Sequence, residues 1–270
     1  MTSMTTHEDS KAVTYASYLK VDELLALQQL KSDPAEHDEL LFITIHQVYE
    51  LWFKIILHEL DQLKIDLSRG ALHESLPRLR RVNTVLKTLV GQIDILETMT
   101  PLSFASFRER LDSASGFQSA QFREVEFVLG YKRPDMIDLH PSDQEGHARL
   151  MTRLEEPSVV DAFYDFLETR GVDIPQELRS KAPEAPNVPN EAIQDAIVEM
   201  YRTQPDVILL LELMTDLDEG LQEWRYRHVK MVERTLGHKI GTGGSSGAEF
   251  LRRSLFNPVF PDLWAVRSRF

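Results

Sequence analysis

Cysteine is missing from all 270 residues. Its absence excludes disulfides, iron–sulfur clusters, thiolate-ligated haem, zinc ribbons and the C-x-x-C-H attachment of c-type haem. Any metal bound here must rest on His, Tyr, Asp or Glu. Basic charge is also in deficit: 30 Lys+Arg against 43 Asp+Glu leave a net charge of −13. That balance argues against nucleic acid or an anionic membrane as a partner, since both need a basic face. No stretch approaches the roughly 18 uninterrupted apolar residues that suggest a membrane span. The N-terminal MTSMTTHEDSKA lacks the apolar run of a signal peptide. The expected location is the cytoplasm. There is no internal repeat and no convincing strand pattern.

What the sequence does contain is helical periodicity. Hydrophobic residues make up 42%, and the length suffices for a sizeable core. The stretch HDELLFITIHQVYELWFKIILHELDQLK, His37 to Lys64, reads as one long helix after the turn at Ser32-Asp33-Pro34. Leu41, Ile45, Val48, Trp52, Ile55 and Ile56 recur at threes and fours as its expected core stripe. Beside that stripe Phe42 and His46 stand one turn apart, continued by Tyr49 and Phe53. An imidazole framed by aromatics is either a satisfied core histidine, the commoner case, or part of a pocket.

Before it, Tyr15 and Tyr18 precede a short helix from Val21 to Leu30 with Leu24, Leu25 and Leu27 as its apolar face. The tyrosines either anchor the tail on their own domain or reach a neighbouring subunit. After it, Leu76 to Met99 carries Leu79, Val82, Val85, Leu86, Leu89, Ile93 and Leu96 at helical spacing. A new element starts at Pro101, where Arg108 lies among Phe104, Phe107 and Leu111 until Asp112 to Gly116 breaks the helix. Such an arginine is usually snorkelling or ion-paired; the sharper alternative is a fork awaiting a carboxylate ligand. From Tyr131 to Asn190, Pro134, Pro141, Pro157 and Pro175 punctuate the text, and a short helix is expected at Val159 to Thr169. Glu191 to Tyr201 is helical. From Pro205 to about Leu236 runs a last long helix with the stripe Leu210, Leu213, Leu217, Leu221, Trp224, His228 and Val232. Five of the 12 glycines then crowd between Gly237 and Gly247, either as a flexible connection or as a backbone that approaches a ligand. No Gly-Lys-Ser/Thr follows at Walker A spacing.

The expectation is therefore an all-α protein: one large helical bundle domain over residues 1–270, with a disordered tail at 1–14 and a helical insertion at about 131–190.

The nine histidines narrow the chemistry. No H-E-x-x-H exists, which excludes a zincin, and no histidine has Glu three residues before it, which excludes a ferritin-like di-iron bundle. A non-haem iron site on His37 and Glu39 faces about 200° of divergence on one helix, and survives only if that helix starts after Glu39. What remains is a single imidazole on an apolar helix face and a separate polar residue in an aromatic setting, which suits a haem pocket. A buried histidine beside Trp is nevertheless more often structural.

Four segments in order, HDELLFITIHQVYELWFK, FRERLDSASGFQSAQFR, WRYRHVKMVERTLG and GTGGSSG, closely resemble the tryptophan 2,3-dioxygenase family. The likeness runs from about Tyr15 to Leu251 and is weakest in the proline-punctuated stretch. The resemblance implies an enzyme with haem b, one per subunit, that inserts both atoms of O₂ across the indole C2–C3 bond of L-tryptophan. The product is N-formyl-L-kynurenine, and this is the first step of the kynurenine pathway. It implies His228 as the axial ligand of the haem iron, with His238 as a loop residue, and His46 as the histidine that meets the indole N–H. It further implies Phe42 packing on the indole, Arg108 on the substrate carboxylate and Thr242 on the ammonium and carboxylate. Ser115 is expected near haem and substrate, and Tyr15 and Tyr18 in the active site of a neighbouring subunit of a homotetramer. Phe104 stands where some relatives carry tyrosine, so a hydroxyl contact is absent there. Competing readings that share these residues are a haem-binding or tryptophan-sensing protein without turnover, and a helical scaffold with structural histidines.

Overall fold

A computed structural model describes residues 12–111, 114, 116–142, 144–237, 251–252 and 254–270. Every regular element among them is helical. Two helices of 32 residues each, α3 (His37–Ser68) and α11 (Pro205–Leu236), form the long axis with α4 (Leu72–Leu96) packed against both. Shorter elements surround them: α1 (Tyr15–Leu19), α2 (Val21–Leu25), α5 (Pro101–Arg108), α6 (Ala120–Val128), α7 (Glu145–Glu155), α8 (Val159–Thr169), α9 (Gln176–Arg179) and α10 (Glu191–Thr203). A C-terminal helix, Pro261–Ala265, closes the chain.

The α4 stripe is buried as its periodicity predicts, from Leu79 through Leu96. α3 and α4 form an antiparallel hairpin through Gly70, whose φ of +71° only glycine adopts readily, with Thr169 of α8 pressed against it. Asn83 on α4 donates from Nδ2 to the Leu213 carbonyl of α11 at 3.0 Å. At Gly220 of α11 a side chain would meet Leu86 of α4.

The face of α3 differs from the stripe expected. Ile45 and Ile56 are buried, Leu41, Val48 and Trp52 are only half-buried, and Ile55 is exposed. The buried side runs through Phe53, Leu57, Leu60, Leu63 and Leu67. The reason is that α3 is packed by α4, α6 and α8 from several directions, which rotates the core side toward Tyr49 and Phe53. α3 also has the length and composition of a membrane-spanning helix. However, its buried residues include Glu39, Glu59 and Asp66, of which Glu59 and Asp66 pair with Arg78, Arg81 and Arg69 of this chain. Buried carboxylates held by ion pairs belong to a protein core.

Val159 to Thr169 forms the helix expected there, and it is not peripheral. Val159, Phe163, Phe166 and Leu167 are fully buried in the main core against α3. A capping box at Ser158 and Asp161 starts that helix. The predicted Val21–Leu30 helix stops at Leu25, and Leu24, Leu25 and Leu27 are exposed at 40%, 70% and 59%. Among the described residues nothing covers their apolar face. The tail expected over residues 1–14 lies mostly outside the described residues, although Thr14 caps α1.

Candidate active site

Side chains of α3 and α11 line one cavity together with others from α4, α5, α6 and the segments between helices. His46 and Phe42 face it from α3 and His228 from α11, so residues 182 positions apart in the chain share one space.

At the α3 wall the His46 ring lies 4.2 Å from the Phe42 ring, centroid to centroid. Phe42 in turn packs on Phe104 at 5.6 Å and Phe107 at 5.5 Å, both from α5. His46 Nδ1 is 2.7 Å from the Phe42 carbonyl oxygen one turn back. A carbonyl can only accept, so Nδ1 carries the hydrogen and Nε2 keeps its lone pair. Burial holds the His46 pKa below its ordinary value, against the pull of the Phe42 carbonyl and of Glu50. The ring is therefore a neutral, oriented hydrogen-bond acceptor. Glu50, one turn on, is tied down by Gln121 Nε2, which donates to its carboxylate at 2.8 Å.

The α11 wall is built differently. His228 stacks parallel on Trp224, with centroids 5.2 Å apart and planes 5° apart, and its ring makes no hydrogen bond to any described residue. Trp224 is itself enclosed by Phe122 at 4.7 Å and Phe53 at 6.2 Å. Tyr49, whose hydroxyl donates to the Leu89 carbonyl at 2.7 Å, closes the same corner. Burial, aided by the charges of His46 and Arg123, pushes the His228 pKa down to about 4. The imidazole is thus neutral at pH 7, with a lone pair that no described residue occupies.

Such a wall suits a metal that brings most of its own ligands. Among the described residues no group of three or more His, Asp or Glu side chains could hold a bare ion. The non-haem iron reading fails on geometry as well. α3 already includes His37, and Glu39 is occupied with the backbone N–H groups of Lys31 and Ser32, at 2.7 and 3.0 Å. A flat, apolar macrocycle carrying iron needs one axial imidazole and aromatic and aliphatic walls, and the cavity supplies both.

The other expected residues fall as follows. Phe104 lines the cavity and is buried. Arg108 ends α5 one turn after Phe104 and is half-buried; it is not one of the described side chains that line the cavity. Tyr15 and Tyr18 sit on α1, 78% and 76% exposed. Ser115, Thr242 and His238 lie outside the described residues. The structure also brings to the cavity side chains that the sequence reading passed over: Arg123, Glu126, Arg133 and Arg225. Arg123 and Glu126 were visible as an i, i+3 pair of opposite charge in FREVEF, but nothing local joined them to Arg225, 99 residues away in contact with Glu126.

Comparison with known proteins identifies the family. The family model described as tryptophan 2,3-dioxygenase matches residues 2–171 and 185–270, passing over a gap within the proline-punctuated stretch. A protein of Herpetosiphon aurantiacus named tryptophan 2,3-dioxygenase is 57% identical over 263 residues, covering 96% of this chain and 99% of its own. One of the same name from Anaeromyxobacter sp. strain K is 52% identical, covering 99% of each chain. Another from Bacillus thuringiensis subsp. konkukian is 41% identical, covering 97% of this chain and 95% of its own.

Proposed function

The chain belongs to the tryptophan 2,3-dioxygenase family, and from that premise we propose that the cavity between His46 and His228 is the site of the reaction. The protein is an oxidoreductase that inserts both atoms of O₂ into the indole ring of L-tryptophan, giving N-formyl-L-kynurenine and opening the kynurenine route of breakdown. The family works with haem. In our reading this is haem b, one per subunit, with the imidazole of His228 as the axial ligand of the iron. The observation that carries the assignment is that imidazole: neutral, stacked on Trp224 and without a hydrogen-bond partner among the described residues.

When bound, haem supplies the ferrous iron that takes up O₂. The chain's own residues supply position and polarity. His46 Nε2 accepts the indole N–H, because the Phe42 carbonyl occupies the opposite nitrogen. The Phe42 ring stacks on the indole, backed by Phe104 and Phe107. Holding the indole C2–C3 edge at a fixed place removes the entropic cost of finding it. Arg108 takes the substrate carboxylate through its planar fork; its position at the end of α5, one turn past Phe104, supports this. By the resemblance of the motifs SASGF and GTGGSSG, Thr242 would bond the ammonium and carboxylate, a haem propionate would supply the countercharge to the ammonium, and Ser115 would serve haem and substrate.

Tyr15 and Tyr18 complete the site of a neighbouring subunit in a homotetramer. Their exposure, together with that of Leu19, Leu24, Leu25 and Leu27 on the same arm, supports a partner chain as their destination. We take residues 1–270 to work as one domain, in the cytoplasm.

The test is product formation. Reduced, haem-loaded protein in air with L-tryptophan is expected to develop the absorbance of N-formylkynurenine. Haem binding with a tryptophan-induced spectral change but no product would overturn the reading in favour of a sensor.

A further inference from the structure

One pole of the cavity carries buried charge that the reaction as described does not use. Arg123 and Arg225, each with a side chain only 4% exposed, share the carboxylate of Glu126 at 2.6 and 3.2 Å. Arg133 reaches the same carboxylate at 2.9 Å, and both Arg133 and Arg225 lie over the Tyr131 ring. Arg225 also donates to the Ser254 and Asn257 carbonyls at 3.3 and 3.4 Å. The Nε–H groups of Arg123 and Arg225 are buried and donate to no described residue. Among the described residues, two deeply buried guanidiniums around one carboxylate leave positive charge and two donors uncompensated, which is costly away from water. Burial, with Arg133 and Arg225 alongside, pulls the Arg123 pKa below its ordinary value in spite of Glu126. All four charged side chains line the cavity.

The pole belongs to the axial wall. The Arg123 guanidinium lies 5.1 Å over the Phe122 ring, Phe122 packs on Trp224 at 4.7 Å, and Trp224 stacks on His228. Arg108 instead ends α5 beside the Phe104 and Phe107 rings that back Phe42 and His46. The molecule thus has two arginine positions at two ends, and one substrate carboxylate to place.

We propose that the Arg123–Arg225 pole is the seat of a carboxylate carried by the cofactor, one of the two propionates of haem b. Glu126 holds the two guanidiniums in place, and the propionate supplies the missing anion. The inference rests on the haem reading of the cavity. Charge-assisted bonds from buried guanidiniums are the stronger kind, and the macrocycle then enters in one orientation, with the iron over His228.

The test compares haem with its dimethyl ester, which has the same ring and iron but no propionate charge. Protein loaded with either is mixed with excess apomyoglobin, and release is followed in the Soret band. The unaltered protein is expected to release the ester at least about tenfold faster than haem, the loss of one good charge-assisted pairing. Arg123→Gln is expected to release haem at nearly the ester's rate while leaving ester release unchanged. Arg225→Lys, which keeps the charge but loses the fork, should fall between. Equal release of haem and ester from the unaltered protein would overturn the proposal. So would an Arg123→Gln variant that sheds both porphyrins equally faster, since that marks loosened packing. If Arg123→Gln weakens L-tryptophan but not tryptamine and leaves both porphyrins alone, the carboxylate seated there is the substrate's and the proposal falls. If neither porphyrin loads, the haem reading itself fails and takes this inference with it.

Discussion

The two ends of the cavity treat the same side chain in opposite ways. His46 and His228 each sit on a helix of 32 residues, among apolar neighbours at threes and fours. His46 spends one nitrogen on the carbonyl of its own helix, 2.7 Å away. That bond fixes the tautomer and aims the other nitrogen at the cavity as an acceptor. His228 has no such bond among the described residues and is held by a parallel stack on Trp224. Stacking restrains the plane of a ring without using its lone pair. The first arrangement orients a hydrogen-bond acceptor, and the second leaves a lone pair free of any described partner, as the proposed ligation of haem iron needs. The two rings differ in the partner of Nδ1 and in ring packing, since residue type and helical spacing are shared.

The most severe way to break the contrast is to remove the α11 imidazole. His228→Ala is expected to lose haem and with it essentially all activity, seen as the absence of a Soret band after purification. A haem-loaded, active variant would remove the distinction between the two ends. Next in size is Arg108→Ala. A desolvated substrate carboxylate that loses its charged partner costs about 1.5–3 kcal/mol, so kcat/KM should fall roughly 10- to 100-fold. The preference for L-tryptophan over tryptamine as a ligand should shrink with it. An unchanged KM and turnover would separate Arg108 from the His46 end altogether.

His46→Ala tests the other half of the contrast. It should keep haem, since the proposal gives iron ligation to His228, and lose about 0.5–1.5 kcal/mol of substrate hydrogen bonding, up to about tenfold in kcat/KM. Loss of haem in this variant would mean that the two histidines are not divided as described. The smallest effect is on pH dependence. Both imidazoles have folded pKa values below the ordinary 6.5, that of His228 at about 4. The unfolded chain therefore binds more protons than the folded one in this range. Stability is retained above pH 6.5 and is lost as pH falls from 6.5 toward 4, where the folded protein begins to protonate too. Denaturant midpoints of the haem-free protein at pH 7.5 and 5 should differ in that sense. His228→Leu should flatten the dependence more than His46→Leu does.

Much of the frame was legible in the linear text. The α4 stripe from Leu79 to Leu96 is buried as its spacing predicts. The last long helix begins at Pro205 and ends at Leu236, as Pro205 and Gly237 mark it. α3 was legible as a helix but not in its rotation. Periodicity finds an apolar stripe, yet where several helices pack on one the buried arc widens beyond it, and Tyr49 and Phe53 join the core corner around Trp224. The arm from Tyr15 to Leu30 showed apolar spacing, yet among the described residues its leucines stay exposed, because a stripe of spacing does not by itself say what surface receives it.

By itself the sequence determined the class of protein and its chemical limits. Helical periodicity is local, so two long helices with one aromatic-framed histidine each could be read from spacing alone. The lack of cysteine confined any metal to oxygen and nitrogen ligands. Four ordered motifs pointed to the family. Only the tertiary structure decided that the two histidines face one cavity and that Arg123 and Arg225 meet at Glu126. These outcomes depend on contacts between residues separated by 99 positions or more. Such contacts are set by how whole helices pack, which no window of local sequence contains.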